Sequence, residues 1–464
     1  MSQLHDLTAL QQAAAIRRGE VSALELVEHY LTRISALSDR IGAFVTVTAD
    51  AATSRASRPL PDGPLAGVPI AIKDLNNTAG VRTTFGSAVY AGNVPTVDDH
   101  VVALLQRAGT ISLGKTNTPE FGLPCYTEPD VAPPARTPWD LARSAGGSSG
   151  GAAAAVSAGL VPFAQGSDGG GSIRIPASAC GLFGLKPSRG RVSGGPLAGD
   201  VTGLGVNGPI ARSVADAAAL LDAMAIPMRG DPHWAPPLPP GETFLAAAGR
   251  EPGRLRIGRY CEPPVPESTL HPDCRAAWES ASSLLESLGH EVTDIAQPFG
   301  LELIGMFEVV WSVSATLMPV EPVREAALRP LTRRLRERGR ACSAPVFASA
   351  LLGLQQAARA ALSATREYDA VLVPTLAQPP APVGGLRDDA DPAADFEAQK
   401  RFTPYTAVYN MTGQPAVTLP LWWADGLPIG VMLAGRPADE ATLLSLSAQL
   451  EAARPWLDRH PPLW

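Results

Sequence analysis

Val68-Pro69-Ile70-Ala71-Ile72-Lys73 is followed by Asp98-Asp99-His100-Val101-Val102-Ala103-Leu104-Leu105-Gln106-Arg107 and then by Thr110-Ile111-Ser112-Leu113. The first run is short and apolar and ends on a lysine, which reads as a buried strand. The second carries its apolar residues at helical spacing. Gly109 stops it, and the third run is the next strand. Strand, helix, strand is the grammar of an α/β fold. It returns downstream, where residues 255–260 read as a strand, 274–288 as a helix and 291–295 as a strand. Residues 369–374, 416–421 and 429–433 are further strand candidates, and 441–452 reads as a closing helix. Upstream, 7–17 and 23–37 read as amphipathic helices parted by Gly19. Ser22 and Glu25 are placed to cap the second of them reciprocally.

The bulk properties allow a sizeable buried core. The 464 residues are 45% hydrophobic and 18% charged, so one large unit is expected over 1–464. A Pro-rich connection near 227–242 is expected to lead to a peripheral subregion, and 379–395 reads as a surface loop. Lys and Arg number 38 against 45 Asp and Glu, with no block of one sign. Neither nucleic acid nor a membrane is therefore an expected partner. The Arg-rich run 333–340 reads as a solvated helix face. Five scattered cysteines, with no CxxC pair, predict neither a disulfide framework nor a zinc site and suit a reducing cytoplasm. Residues 1–10 carry no basic segment followed by an apolar run, the pattern of a secretory leader. No cofactor or metal is expected. No repeat or coiled-coil pattern sets an oligomeric state, and a homodimer stays open.

Two glycine runs hold the chemistry. One is Ser144-Ala145-Gly146-Gly147-Ser148-Ser149-Gly150-Gly151, the other Gly166-Ser167-Asp168-Gly169-Gly170-Gly171-Ser172-Ile173-Arg174. So much glycine is entropically costly and implies sharp turns or close approach to a ligand. Apolar flanks argue against a flexible linker. Neither run fits a phosphate cradle. The P-loop string at 109–116 falls on the predicted strand 110–113, the wrong context. Gly146 to Gly150 matches GxSxG, yet 138–143 is not the apolar strand that a nucleophile elbow needs. A third reading pairs the runs: a serine at the end of a glycine run attacks, and neighbouring amides form an oxyanion hole. Each such donor is typically worth about 3–4 kcal/mol to the transition state. The serine needs a base. The seven histidines sit in ordinary contexts, whereas Lys73 ends an apolar strand. A buried lysine can be neutral and serve. The alternative is a strand-end lysine paired with Asp74 or reaching water.

Gly67-Val68-Pro69-Ile70-Ala71-Ile72-Lys73-Asp74, the two glycine runs through Pro176, and Cys180-Gly181-Leu182-Phe183-Gly184-Leu185-Lys186-Pro187 together resemble the amidase signature family. Gly114 to Phe121 and Gly413-Gln414-Pro415-Ala416 are similar to it too. The resemblance implies a mixed central sheet of about eleven strands wrapped in helices. It implies that Ser172 is the nucleophile, Lys73 the base, and Ser148 a bridging serine after a cis peptide bond. It places the oxyanion hole on the amides of Gly169, Gly170, Gly171 and Ser172, braced by Asp168 and Arg174. Where the family often has Ile or Thr, this chain has Gly169, which is expected to loosen the loop's packing. Leu123, Cys125 and Tyr126 fall where the family lines its acyl pocket. Core packing is the rival reading for Leu123 and Cys125.

The implied activity is hydrolysis of a small-molecule amide, as in free-standing amidases that include the 6-aminohexanoate cyclic-dimer hydrolases. One branch of the family, the A subunit of the glutamyl-tRNA amidotransferase, has an Asp where this chain has Thr403, counted back from Asn410. That substitution argues against a glutamine-specific pocket. A non-catalytic assembly subunit is the reading from another class, and the intact Lys73, Ser148 and Ser172 speak against it.

Overall fold

Pro69 cannot donate a hydrogen bond, so it suits the first position of a strand, and a strand does begin there. The computed structural model describes residues 3–197 and 199–464. Among these, the strands are β1 Phe44–Val47, β2 Pro69–Lys73, β3 Ile111–Thr116, β4 Phe163–Asp168, β5 Phe183–Lys186, β6 Val206–Ala211, β7 Arg256–Arg259, β8 Glu291–Asp294, β9 Ala370–Pro374, β10 Ala416–Ala424 and β11 Leu427–Gly435. All eleven share one mixed sheet in the order β1-β3-β2-β4-β6-β5-β10-β11-β9-β7-β8. β2 runs parallel to β3 and β4, and β7 parallel to β8 and β9. The remaining pairs are antiparallel.

The apolar run of β2 is buried throughout, because sheet and helices cover both its faces. Ile70 and Ile72 enter one apolar core and Ala71 enters the other, as a period of two requires. Each isoleucine so buried contributes about 1.5–3 kcal/mol relative to exposure. Phe163 and Ala164 divide β4 between the same two cores. The Gly150–Ser157 helix, small-residue throughout, is buried over its full length and packs on β4.

Some expectations need correction. The helix expected at 98–107 starts at His100, and Asp99 does not cap it with its side chain. Its carboxylate instead accepts from Asn76 and from the backbone and side chain of Asn77. The strand expected at 110–113 continues to Thr116, because Lys115 is satisfied inside by the Asn76 carbonyl, Thr78 and Thr83. The loop expected at 379–395 gives way to the Pro392–Phe402 helix, which Asp391 caps and which buries Asp395. In the Pro330–Ala341 helix, Arg336 is buried, not solvated; it pairs with Glu325 and donates to the carbonyls of Ala315 and Met318. The reciprocal Ser22–Glu25 cap is present as expected. Among the described residues no helix is long and apolar enough to cross a membrane.

Candidate active site

β2 and β4 are parallel neighbours, so their carboxyl ends lie side by side. One carries Lys73 and the other Ser167 and Asp168. This is the end of a parallel pair at which α/β folds gather ligands. Lys73 is fully buried. Its Nζ donates to Ser148 Oγ at 2.8 Å, to Ser167 Oγ at 3.0 Å and to the Ser167 carbonyl at 3.2 Å. The rival pairing with Asp74 is not made: Asp74 accepts from Thr84 and lies 4.0 Å from Lys115. Burial lowers the Lys73 ammonium from its ordinary value to about 7, against a weaker upward pull from the Asp168 carboxylate. A lysine so placed gives up its proton near neutral pH, far below its ordinary range.

Ser148 follows a cis Gly147–Ser148 peptide bond. At Gly147 a Cβ would fall 2.8 Å from the Tyr126 backbone, so only glycine lets the two segments approach. Thr118 Oγ1 donates to the Ser148 carbonyl at 2.9 Å. The Ser149 N–H donates to the Ser172 carbonyl at 3.1 Å and fastens the two glycine runs together. The hydroxyl of Ser172 has no protein hydrogen-bond partner among the described residues, and the residue borders open cavity.

The turn between β4 and the Arg174–Cys180 helix is built on Asp168. Its carboxylate accepts from the Gly171 and Ile173 amides, from Arg174 through both Nε and Nη2, and from Asn410 Nδ2. Burial is the largest single influence and would raise its pKa; Arg174, with Lys186 and the Asn410 hydrogen bond, together outweigh it and hold the carboxyl well below the usual range. Arg174, itself fully buried, also donates to the Thr406 carbonyl and to Asn410 Oδ1. Gly171 has φ +130°, and a Cβ there would meet Thr406 Oγ1 at 2.4 Å. The four-amide oxyanion assignment therefore needs correction. The Gly171 N–H is spent on Asp168 at 2.7 Å, whereas those of Gly169, Gly170 and Ser172 have no protein acceptor among the described residues. Asp168→Asn should strand Arg174 as an uncompensated buried charge. We expect a loss of about 3–5 kcal/mol in urea unfolding; a change within about 0.5 kcal/mol would contradict the bracing role.

Two cavities adjoin Ser172. One, of about 100 Å³, is walled chiefly by apolar side chains, among them Ile175, Phe299, Leu303 and Phe307. The other, of about 370 Å³, is more polar and includes Ser148, Ser167, Asp99, Arg189 and Asn207. Leu123 borders both cavities and Cys125 the apolar one. Burial pushes the Cys125 thiol up, so it stays protonated. Tyr126 lines neither cavity; its hydroxyl donates to Asp395 at 2.6 Å behind the wall. Thr403 lies on the apolar wall. Ser167, Asn410, Thr406, Phe307 and Trp311 belong to the site without having been singled out for it in the sequence. Ser167 stood inside a quoted glycine run and Asn410 served only as the point from which Thr403 is counted; the aromatic pair carried no signal.

The Amidase family model matches residues 25–444. The chain belongs to the Amidase family. It is an enzyme that hydrolyses amide bonds. A 6-aminohexanoate-cyclic-dimer hydrolase from Paenarthrobacter ureafaciens is 36% identical to this amidase over 98% of this chain and 96% of its own. The solved structure of a 6-aminohexanoate cyclic dimer hydrolase complexed with substrate is similar at a TM-score of 0.93 and 32% identity, covering 99% of this chain and 100% of that one. A bacterial aryl acylamidase of the amidase signature enzymes is similar at a TM-score of 0.87 and 25% identity, covering 98% of each chain. The mixed sheet of this amidase, with its surrounding helices, is thus the amidase signature fold expected from the motifs.

Proposed function

We propose that this chain cleaves carboxylic amides through an acyl-enzyme on Ser172, with Ser148 as relay and Lys73 as base. The observation that carries the reading is the 2.8 Å bond from a fully buried Lys73 Nζ to Ser148 Oγ. It stands beside a serine whose hydroxyl and amide are both free of protein partners among the described residues. Neutral Lys73 takes the Ser148 proton as Ser148 takes that of Ser172. Ser172 Oγ bonds to the amide carbon, and the oxygen gathers negative charge before the amides of Gly169, Gly170 and Ser172. An amine leaves poorly unless protonated, so the relay returns its proton to the nitrogen as the C–N bond breaks. Water then gives a proton to the relay and its oxygen to the acyl carbon, and the relay passes a proton to Ser172 Oγ as the ester bond breaks, which frees Ser172 and the acid.

Residues 1–464 act as one amidase unit in this reading, since β7 and β8, beyond the 227–242 connection, join the same sheet as β2. Glutamine release by an amidotransferase-type subunit is disfavoured by Thr403 on an apolar wall. A fluorophosphonate probe, with peptide mapping of the adduct, tests the reading. Labelling should fall on Ser172, and a panel of linear amides should be cleaved in preference to glutamine. No adduct at Ser172 would favour a non-catalytic subunit, and glutamine as the preferred substrate would favour the amidotransferase reading.

A further inference from the structure

The two cavities are not equivalent. Among the described residues Leu123, Ser172 and Trp311 line both and so stand where the two cavities meet. Gly169 borders the polar side and Gly170 the apolar side, so the loop that presents the free amides sits there as well. The indole of Trp311 stacks on Phe307, with ring centroids 5.2 Å apart and planes 20° from parallel. A Cβ placed on Gly169 would lie 3.4 Å from Trp311 ring carbons. Gly169 was expected to loosen the loop. The indole borders the space that a side chain there would enter, and it walls both cavities.

The relay decides which half of a substrate goes to which side. Ser148 and Ser167 line the polar cavity and not the apolar one. The leaving nitrogen has to receive its proton from Ser148, so the amine half must lie on that side. The acyl half, still attached to Ser172, is left with the other side. There the walls are apolar, and the polar groups present are already engaged. Lys400 Nζ is paired with Glu308 and Glu397, while the Gln399 side chain is held by Asp395 and by the Cys125 amide. Among the described residues lining this side, the one charged group, Lys400, is already paired.

We infer that Trp311 is a specificity-determining partition, which admits a short apolar acyl group beside Phe307 and directs a polar amine half to the side of Ser148. The inference rests on the Ser172–Ser148–Lys73 reading. Two mirror amides test it: hexanoyl ethanolamide has an apolar acyl and a polar amine half, and glycoloyl hexylamide reverses them. The kcat/KM of the first should exceed that of the second by about tenfold or more. Trp311→Ala, which removes the wall shared by both cavities, should bring that ratio to within about threefold of one. A wild-type ratio at or below one overturns the inference, and so does an unchanged ratio in an active Trp311→Ala enzyme. If Trp311→Ala takes no fluorophosphonate adduct, Ile304→Ser on the apolar wall decides. A loss confined to hexanoyl ethanolamide upholds the partition, and an equal loss for both amides overturns it. Wild-type enzyme that takes the adduct at Ser172 but cleaves neither amide overturns the inference alone. Absence of both adduct and cleavage overturns the serine reading beneath it.

Discussion

Ser172→Ala should lower amide turnover by about a million-fold and leave the fold intact, the size of effect seen when a nucleophile acts as one unit with its base. The substitution removes one hydroxyl that has no protein partner among the described residues, so no buried group among them is left unpaired by it. The residue-172 amide stays in place, and with it the donor facing the oxyanion. Stability in urea should therefore stay within about 0.5 kcal/mol of wild type. Released amine, measured under single-turnover conditions, is the readout. An alanine variant that retains a hundredth of wild-type turnover (contaminating enzyme having been excluded) would remove Ser172 from the bond-making role.

How far the sequence discloses this site depends on what kind of residue each strand carries. β2 is legible because its interior is aliphatic, and the lysine at its end draws attention through the contrast. β4, its parallel neighbour, is not legible. Gln165, Ser167 and Asp168 break the apolar pattern, yet they are buried or nearly so because the network satisfies them. Gln165 accepts from the Lys73 amide and donates to Asn76 and Asn207. β6 is hidden by Pro209, which opposes a central-strand reading. It is tolerated where the β5 ladder has already stopped at Ile210. Ordered motifs single out Lys73 and Ser148, which the structure joins at 2.8 Å, and Ser172, but not how the neighbouring amides are bonded. That Asp168 consumes the Gly171 N–H depends on the path of the turn, which a list of glycines does not specify. Trp311 is harder still. It stands far along the chain in an apolar helix, Glu302–Ser314, and nothing in that pattern separates a cavity wall from core packing. Tyr126 fails in the opposite direction. Its neighbours Leu123 and Cys125 reach the cavities, but its hydroxyl has a buried carboxylate to satisfy.

Lys73→Met should separate catalysis from stability. A neutral base lowered to about 7 makes kcat/KM rise with pH through that region, as the ammonium loses its proton. Methionine fills the same buried volume but accepts no proton from Ser148, so turnover near neutral pH should drop by about a thousandfold and the rise should vanish. Lys186 is also lowered to about 7, by burial and by the nearby Arg174 charge, so the rise alone does not identify its owner. The Lys186 Nζ donates to the Pro187 carbonyl and is not part of the relay; Lys186→Met should keep the rise. Stability also depends on the Lys73 proton. Between about 7 and the ordinary lysine value of 10.5, the unfolded chain holds a proton on Lys73 that the folded chain has lost. Folding stability therefore climbs with pH across that window, and below it the buried ammonium is a fixed cost. Lys73→Met removes that charge, so at neutral pH the variant should unfold at the same urea concentration as wild type or a higher one, with a flatter pH dependence. A variant that is inactive and also markedly less stable would make Lys73 a structural pillar, and one that keeps the rise near 7 would transfer the base to another group.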